Sequence, residues 1–553
     1  MRILIAVVAL LALTISRAGA QKLEYYQDEK GSAQYRVQFK LTPKAIDENR
    51  VIVPLVWDFY ERNSGNAAHS YNRAMVAYNR ICSSRANGDY RGLLAEIWDK
   101  TDNNQTADRA FLIEKTIGPT VSLLAHWGRH PIPEDELTPE DLAAQQRDAF
   151  LNGISQKTWE HSYVLPLEKP EQIHATRDFI QQCDEVGVYR FIEEGSRCDH
   201  CDFGIPFHET DNLLGIRLEE IQDMRALGRL VQLRIMLELH EGRYGDALKS
   251  IRIGMTLARH TGKQPTLVSG LVGVALCGIM QEQLVDMINR PDSPNVYWEV
   301  SSLPYPLLSL GDAMEVEKGF VPQTFPLLKK AFQDVESLDD NEWRMLLDQM
   351  TTMLQQFYEN ESHKPFSISW PVKPTIAASY PSSRRWMLEQ GKTVGEIDAM
   401  IPEKVVGLYA VHELQLHWNN YFRYSRFPLW EKDHAEENMQ KLHQELQNAT
   451  FRGNIFARRI ICLLAPANSA ARRAYQRIQS SNDMLRIAEA IRDYAAKSGG
   501  TVPATLNEIT AVSVPMIDPF TGVPYDYKVV DGVGQIELSN MFPKCTVYFE
   551  IVK

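Results

Sequence analysis

Apolar residues recur at helical spacing over most of the chain, and the densest such block lies between residues 198 and 287. Leu227, Leu230, Val231 and Ile235 form one stripe, and Ala247, Leu248, Ile251, Met255 and Ala258 form a second. Between them, His240-Glu241-Gly242-Arg243 reads as a short turn. A third helix is expected over 266–287, carrying Gly270, Gly273 and Gly278. Glycine costs helix stability, so three of them in one helix predict close backbone contact with neighbouring helices. Its apolar stretch reads as too short to cross a membrane.

The same period appears elsewhere. Residues from Val51 are expected to be helical, followed by a second helix in which Ala67, Tyr71, Ala74, Met75 and Tyr78 share a core-facing stripe. Residues 131–141 read as a linker and helix start, with Thr138 and Asp141 at cap spacing and Pro139 at the first helical position. Residues 312–362 read as helix, 363–381 as a proline-rich loop, and helices resume at 382–390, 403–424 and 431–480. The pattern then changes. A helix over 484–497 is stopped by Ser498-Gly499-Gly500. Alternating runs follow at YDYKVV, QIELS and TVYFEIV, with Asp531-Gly532 as a hairpin turn between the first two.

Several stretches resemble known families. Gly242 to Leu248 (GRYGDAL) resembles the turn and second-helix start of a tetratricopeptide-type repeat, although Arg234 stands where that repeat usually has leucine. Residues 484–530 resemble the globular part of type II secretion major pseudopilins, through a helix ending in GG-x-x-P-x-x-L and then DPF-x-G-x-P-x-x-Y. The long apolar helix by which pseudopilins polymerise is not among these features, so the segment is expected to be a borrowed folding unit and a packed appendage. The chain as a whole resembles a group of uncharacterised exported planctomycete proteins. The residues that carry this are Asn66-Ala67-Ala68 with Tyr71, Arg73 and Ala74; Cys201-Asp202-Phe203-Gly204; Leu257-Ala258-Arg259-His260; Tyr380 to Trp386; and the DPFTG run. That resemblance implies export and helical architecture, and no catalysis.

The expected fold class is therefore mainly α, with helical hairpins stacked in a tetratricopeptide-like manner and a small C-terminal α+β module. The expected divisions are a signal peptide at 1–20, an N-terminal helical region at 21–165, a repeat-like helical region at 166–300, a further helical region at 301–480, and the pseudopilin-like module at 481–553.

Composition narrows the partners. The 553 residues hold 59 Lys+Arg against 71 Asp+Glu, a formal charge of −12. Arg2, the apolar run from Ile3 to Ile15 and Ala18-Gly19-Ala20 read as a cleaved secretory signal. Its removal leaves 57 basic residues against the 71 acids, a charge of −14. An acidic chain with no basic tract is not expected to bind nucleic acid or an anionic membrane surface. No membrane-spanning segment is expected once the signal is gone.

Candidate chemistry is sparse. The 7 cysteines (Cys82, Cys183, Cys198, Cys201, Cys277, Cys462 and Cys545) are too few for a disulfide scaffold. Cys277 and Cys462 sit in apolar runs and read as small buried hydrophobes. Cys198-Asp199-His200-Cys201, with His208 and Glu209 nearby, has the spacing of half a zinc site. A disulfide involving these cysteines or Cys183 ranks first, ahead of metal and of redox catalysis. His412-Glu413-Leu414-Gln415-Leu416-His417 places its histidines five apart, about 140° around a helix, so they do not chelate one ion as His-Glu-x-x-His does. No phosphate loop, G-x-S-x-G elbow or supported Ser-x-x-Lys is present.

No catalytic, cofactor-binding or metal residue is assigned on this basis, and no cofactor is expected. The first functional reading is an exported binding or structural component of the cell envelope, with protein or peptide partners. The second is an exported enzyme, such as a hydrolase, whose site is assembled from distant residues.

Overall fold

A computed structural model describes residues 24–27, 33–83, 170–205, 218–361, 372–423, 454–538 and 544–552. The expected signal at 1–20, the linker and cap at 131–141, and His208 and Glu209 lie outside them. Among the described residues the chain is mainly helical, with 14 α-helices and a small sheet that includes the C-terminal strands.

The elements run in chain order as β1 (Glu24–Gln27), β2 (Ala33–Leu41), β3 (Asn63–Asn66), α1 (Ala67–Ser83), α2 (Pro170–Glu185), α3 (Val188–Ser196) and β4 (Cys198–His200). Next come α4 (Glu219–His240), α5 (Tyr244–Gly262), α6 (Leu267–Ile288), α7 (Tyr297–Ser301), α8 (Gly311–Thr324), α9 (Pro326–Gln333) and α10 (Asp340–Glu361). The last are α11 (Val372–Glu389), α12 (Val394–Asp398), α13 (Pro402–Arg423), α14 (Ile455–Lys497), β5 (Tyr527–Val530), β6 (Val533–Leu538) and β7 (Lys544–Ile551).

The helical block at 219–288 follows its apolar pattern. Leu227, Leu230, Val231 and Ile235 of α4 are buried, as are Ala247, Leu248, Ile251, Met255 and Ala258 of α5. The turn between them passes through Gly242 at φ +70°. Thr266 accepts the Ser269 N–H at 3.0 Å and so caps α6. The glycines permit close packing: Gly228 of α4 meets Leu276, Gly254 of α5 meets Met280, and Gly273 of α6 meets Gly262. Gly270 receives the Tyr475 ring of α14 in the same way.

The structure corrects the expectation that α6 is too short to span a membrane. Its 22 residues are long and apolar enough by length and composition. The helix is nevertheless enclosed, with 89% of its most apolar window buried among α4, α5, α8 and α14. Such a helix is apolar all round because protein surrounds it.

Three local expectations change. Residues 51–58 are irregular rather than helical. Pro54 interrupts any helix there, and the backbone bonds to α7 instead: Leu55 N–H donates to Ser302 Oγ at 2.8 Å and Val53 N–H to Glu299 Oε1 at 3.4 Å. Residues 372–381 are helical, not loop. Pro374 falls in the first turn, where no helical acceptor is lost, and the Ser382 and Ser383 hydroxyls each bond the Ser379 carbonyl at 2.9 Å beside Pro381. The start of the expected N-terminal helical region is sheet, with β1 to β3 preceding α1.

The sheet has the order β1-β2-β7-β6-β5. β2 pairs in parallel with β7, from Gln34↔Lys544 to Leu41↔Ile551, and Phe39 stacks on Phe549 with ring centroids 5.5 Å apart. β5 and β6 form the expected hairpin, with Asp531 and Gly532 at φ +51° and +79°. The C-terminal strands are thus not a separate appendage, since strands from the start of the chain complete their sheet. α14 runs unbroken through the expected boundary at 480/481. Near its end the fully buried Arg492 donates to Glu489 Oε1 at 3.0 Å, to the Ser293 carbonyl at 3.0 Å and to the Thr42 carbonyl at 3.1 Å. Those bonds tie α14, the loop after α6 and the end of β2 into one joint.

Candidate functional site

Three stretches far apart in the chain converge where α1, α3 and α5 meet. They are the Asn66–Ala74 start of α1, the Cys198–Gly204 segment, and the last turn of α5. Each of them carries part of the resemblance noted above.

Asn66 joins the first two. Its Oδ1 accepts the Asp202 N–H at 2.8 Å and its Nδ2 donates to the Asp202 carbonyl at 2.6 Å. The amide side chain thus does what a paired strand residue would do. The same Oδ1 accepts the Ala68 N–H at 3.0 Å, capping α1. Asp199 accepts from Gly65 N–H at 3.2 Å and lies 2.8 Å from His200 Nδ1. The His200 hydrogen bond, followed by that of Gly65, holds the Asp199 carboxyl below its usual range. Gln264, in the turn just after α5, clamps the segment by donating to the Cys201 carbonyl at 2.5 Å.

At the centre, Tyr71 of α1 meets His260 of α5. Tyr71 packs so tightly over Gly195 that a Cβ there would lie 2.6 Å from its ring. Its hydroxyl is 2.8 Å from His260 Nδ1, and both residues are buried. The Cys198 backbone lies close enough to act weakly on the same ring. A neutral imidazole carries one proton, so which partner donates in the Tyr71–His260 bond follows the tautomer. Burial, then Lys263 and Arg259, pull the His260 pKa down to about 3.

The thiols beside this pair are also held neutral. Burial pushes Cys201 up to about 12, with Asp202 adding to the shift, and burial raises Cys198. Burial raises the Tyr71 hydroxyl as well. Cys198 and Cys201 are free thiols, so neither takes part in the disulfide ranked first at these positions. The Cys198 thiol instead reaches the Glu194 carbonyl at 3.5 Å, and Cys183 is enclosed on α2. Among the described residues, no three His, Cys, Asp or Glu side chains are grouped to hold a metal ion.

Next to the cluster, Trp57 donates its indole N–H to Ser196 Oγ at 3.2 Å. The guanidinium carbons of Arg252 and Arg197 lie 3.7 and 4.2 Å from its ring centroid. Glu61 pairs with Arg252 at 3.2 Å. Sequence pattern alone singled out none of Trp57, Glu61, Arg252 or Gln264. Their bonds join residues more than 60 positions apart, for which local periodicity holds no signal.

His412 and Glu413 lie on α13, away from this cluster. His412 is exposed with its ring 4.9 Å from Trp386. Glu413 is buried and accepts the Asn454 N–H at 3.0 Å, at the start of α14. The side chain of His417 lies outside the described residues. No protein-family model matches the chain, and neither does any curated protein or solved structure.

Proposed function

We propose that the protein is a non-catalytic binding or structural component of the cell envelope, exported by the signal at residues 1–20. The observation that carries this reading is that the converged cluster is buried and bonded to itself, with Tyr71 and His260 enclosed and paired and the 198–204 segment held by Asn66 and Gln264. A thiol nucleophile needs a lowered pKa and a general base needs one near neutrality. Here Cys201 sits at about 12 and His260 at about 3, so neither is poised to react. The Tyr71–His260 pair instead fixes α1 and the 198–204 segment onto α5.

The proposal includes tetratricopeptide-like stacking of α2 to α6. It is supported by the hairpin turns before α3 and α5, by α4 touching both α2 and α6, and by α3 touching α5. Stacks of this kind present extended surfaces to protein or peptide partners. The pseudopilin-like reading of residues 484–530 remains part of the proposal as a packing unit on α14.

Two measurements test the function. Chemical crosslinking of the protein in the envelope fraction of its source is expected to capture a stoichiometric protein partner, from protein whose N-terminus is Gln21. The purified mature chain is expected to show no turnover of generic ester, phosphoester, glycoside or peptide substrates. Turnover that is lost in His260→Gln or Tyr71→Phe would overturn the non-catalytic reading.

A further inference from the structure

We draw no further inference here: the strongest candidate, the surface patch around the 51–61 segment and α7 where Val51, Ile52, Phe59, Tyr60 and Trp298 are exposed, carries nothing because nothing in the structure shows what covers it.

Discussion

Gly273 of α6 lies so close to Gly262 of α5 that a Cβ added to it would stand 2.5 Å from the Gly262 Cα and 2.8 Å from the Ala258 carbonyl oxygen. Both contacts are with backbone, which cannot move aside as a side chain can. Gly273→Ala should therefore destabilise by about 1–3 kcal/mol, despite alanine's better helix propensity. Gly245, in the first turn of α5, has open space around it. Gly245→Ala should be neutral or stabilise by up to about 1 kcal/mol. Urea unfolding of the two variants should separate them in opposite directions.

Ala247 is fully buried where α5 begins its packing on α4. Ala247→Leu should cost about 1–3 kcal/mol by overpacking. Lys249 is exposed and pairs with Asp246 at 3.2 Å, so Lys249→Ala should stay within about 0.5 kcal/mol. Equal melting temperatures for both variants would remove the argument for a close hairpin crossing at Ala247.

Tyr71→Phe leaves the ring packing over Gly195 but takes the hydroxyl partner from His260 Nδ1. A polar group buried without a partner costs roughly 1–3 kcal/mol. Denaturant unfolding should show that loss. Nitrogen NMR of His260 should report a neutral ring in the parent. Detection of an imidazolium at neutral pH would contradict the assignment.

Acid should stabilise the fold through Asp483. Tyr525 donates to its Oδ2 at 3.1 Å, yet burial pushes its carboxyl up to about 6 from an ordinary value of 3.8. The folded state thus holds the proton more tightly than the unfolded chain. The resulting stabilisation is complete below about pH 4 and disappears as pH rises through 6, with a ceiling of about 3 kcal/mol. Glu317 and Glu282, raised by burial to about 7 and about 8, extend the same trend upward. Asp483→Asn should flatten the stability profile between about pH 4 and 6. An unchanged slope in the variant would assign that dependence elsewhere.

Truncation after Ser480 is the severest change predicted. It removes β5 to β7 and the Arg492 joint, and exposes the parallel face of β2. We expect loss of the cooperative thermal transition, with residual helix by circular dichroism. Arg492→Met, which strands Glu489 in the interior, should cost roughly 3–5 kcal/mol. A truncated chain that melts cooperatively at the parental temperature would show that the C-terminal strands are dispensable to the helical body.

The helices were legible in the sequence because each buries a stripe at its own period. Tyr71, Ala74 and Met75 face the core, as do Ile251, Met255 and Ala258. Gly270 and Gly273 of α6 also announced close packing. What periodicity could not carry was pairing over long distance. β2 reads as weakly patterned because its partner β7 lies at the other end of the chain. The irregular 51–58 segment carries a helix-like run of apolar residues, but its backbone partners are on α7. At the candidate site, Asn66, Tyr71, Cys201 and His260 were visible as separate pieces, and only the packing of α1 and α3 on α5 brings them together.

The parallel pairing of β2 with β7 also sets an order of events during synthesis. Gln38 and Glu550, joined across that pair at 2.5 Å, are 512 residues apart. At about 5–20 residues per second, β2 waits on the order of 25–100 seconds for its neighbour to be made. β1 covers one of its edges from the start, but the other stays open throughout. The sheet is therefore a late closure, and the nascent chain carries an exposed strand edge that invites pairing with other chains. Cells making this protein should need a holding chaperone for the interval, and interrupted synthesis should yield aggregates rather than a soluble helical fragment.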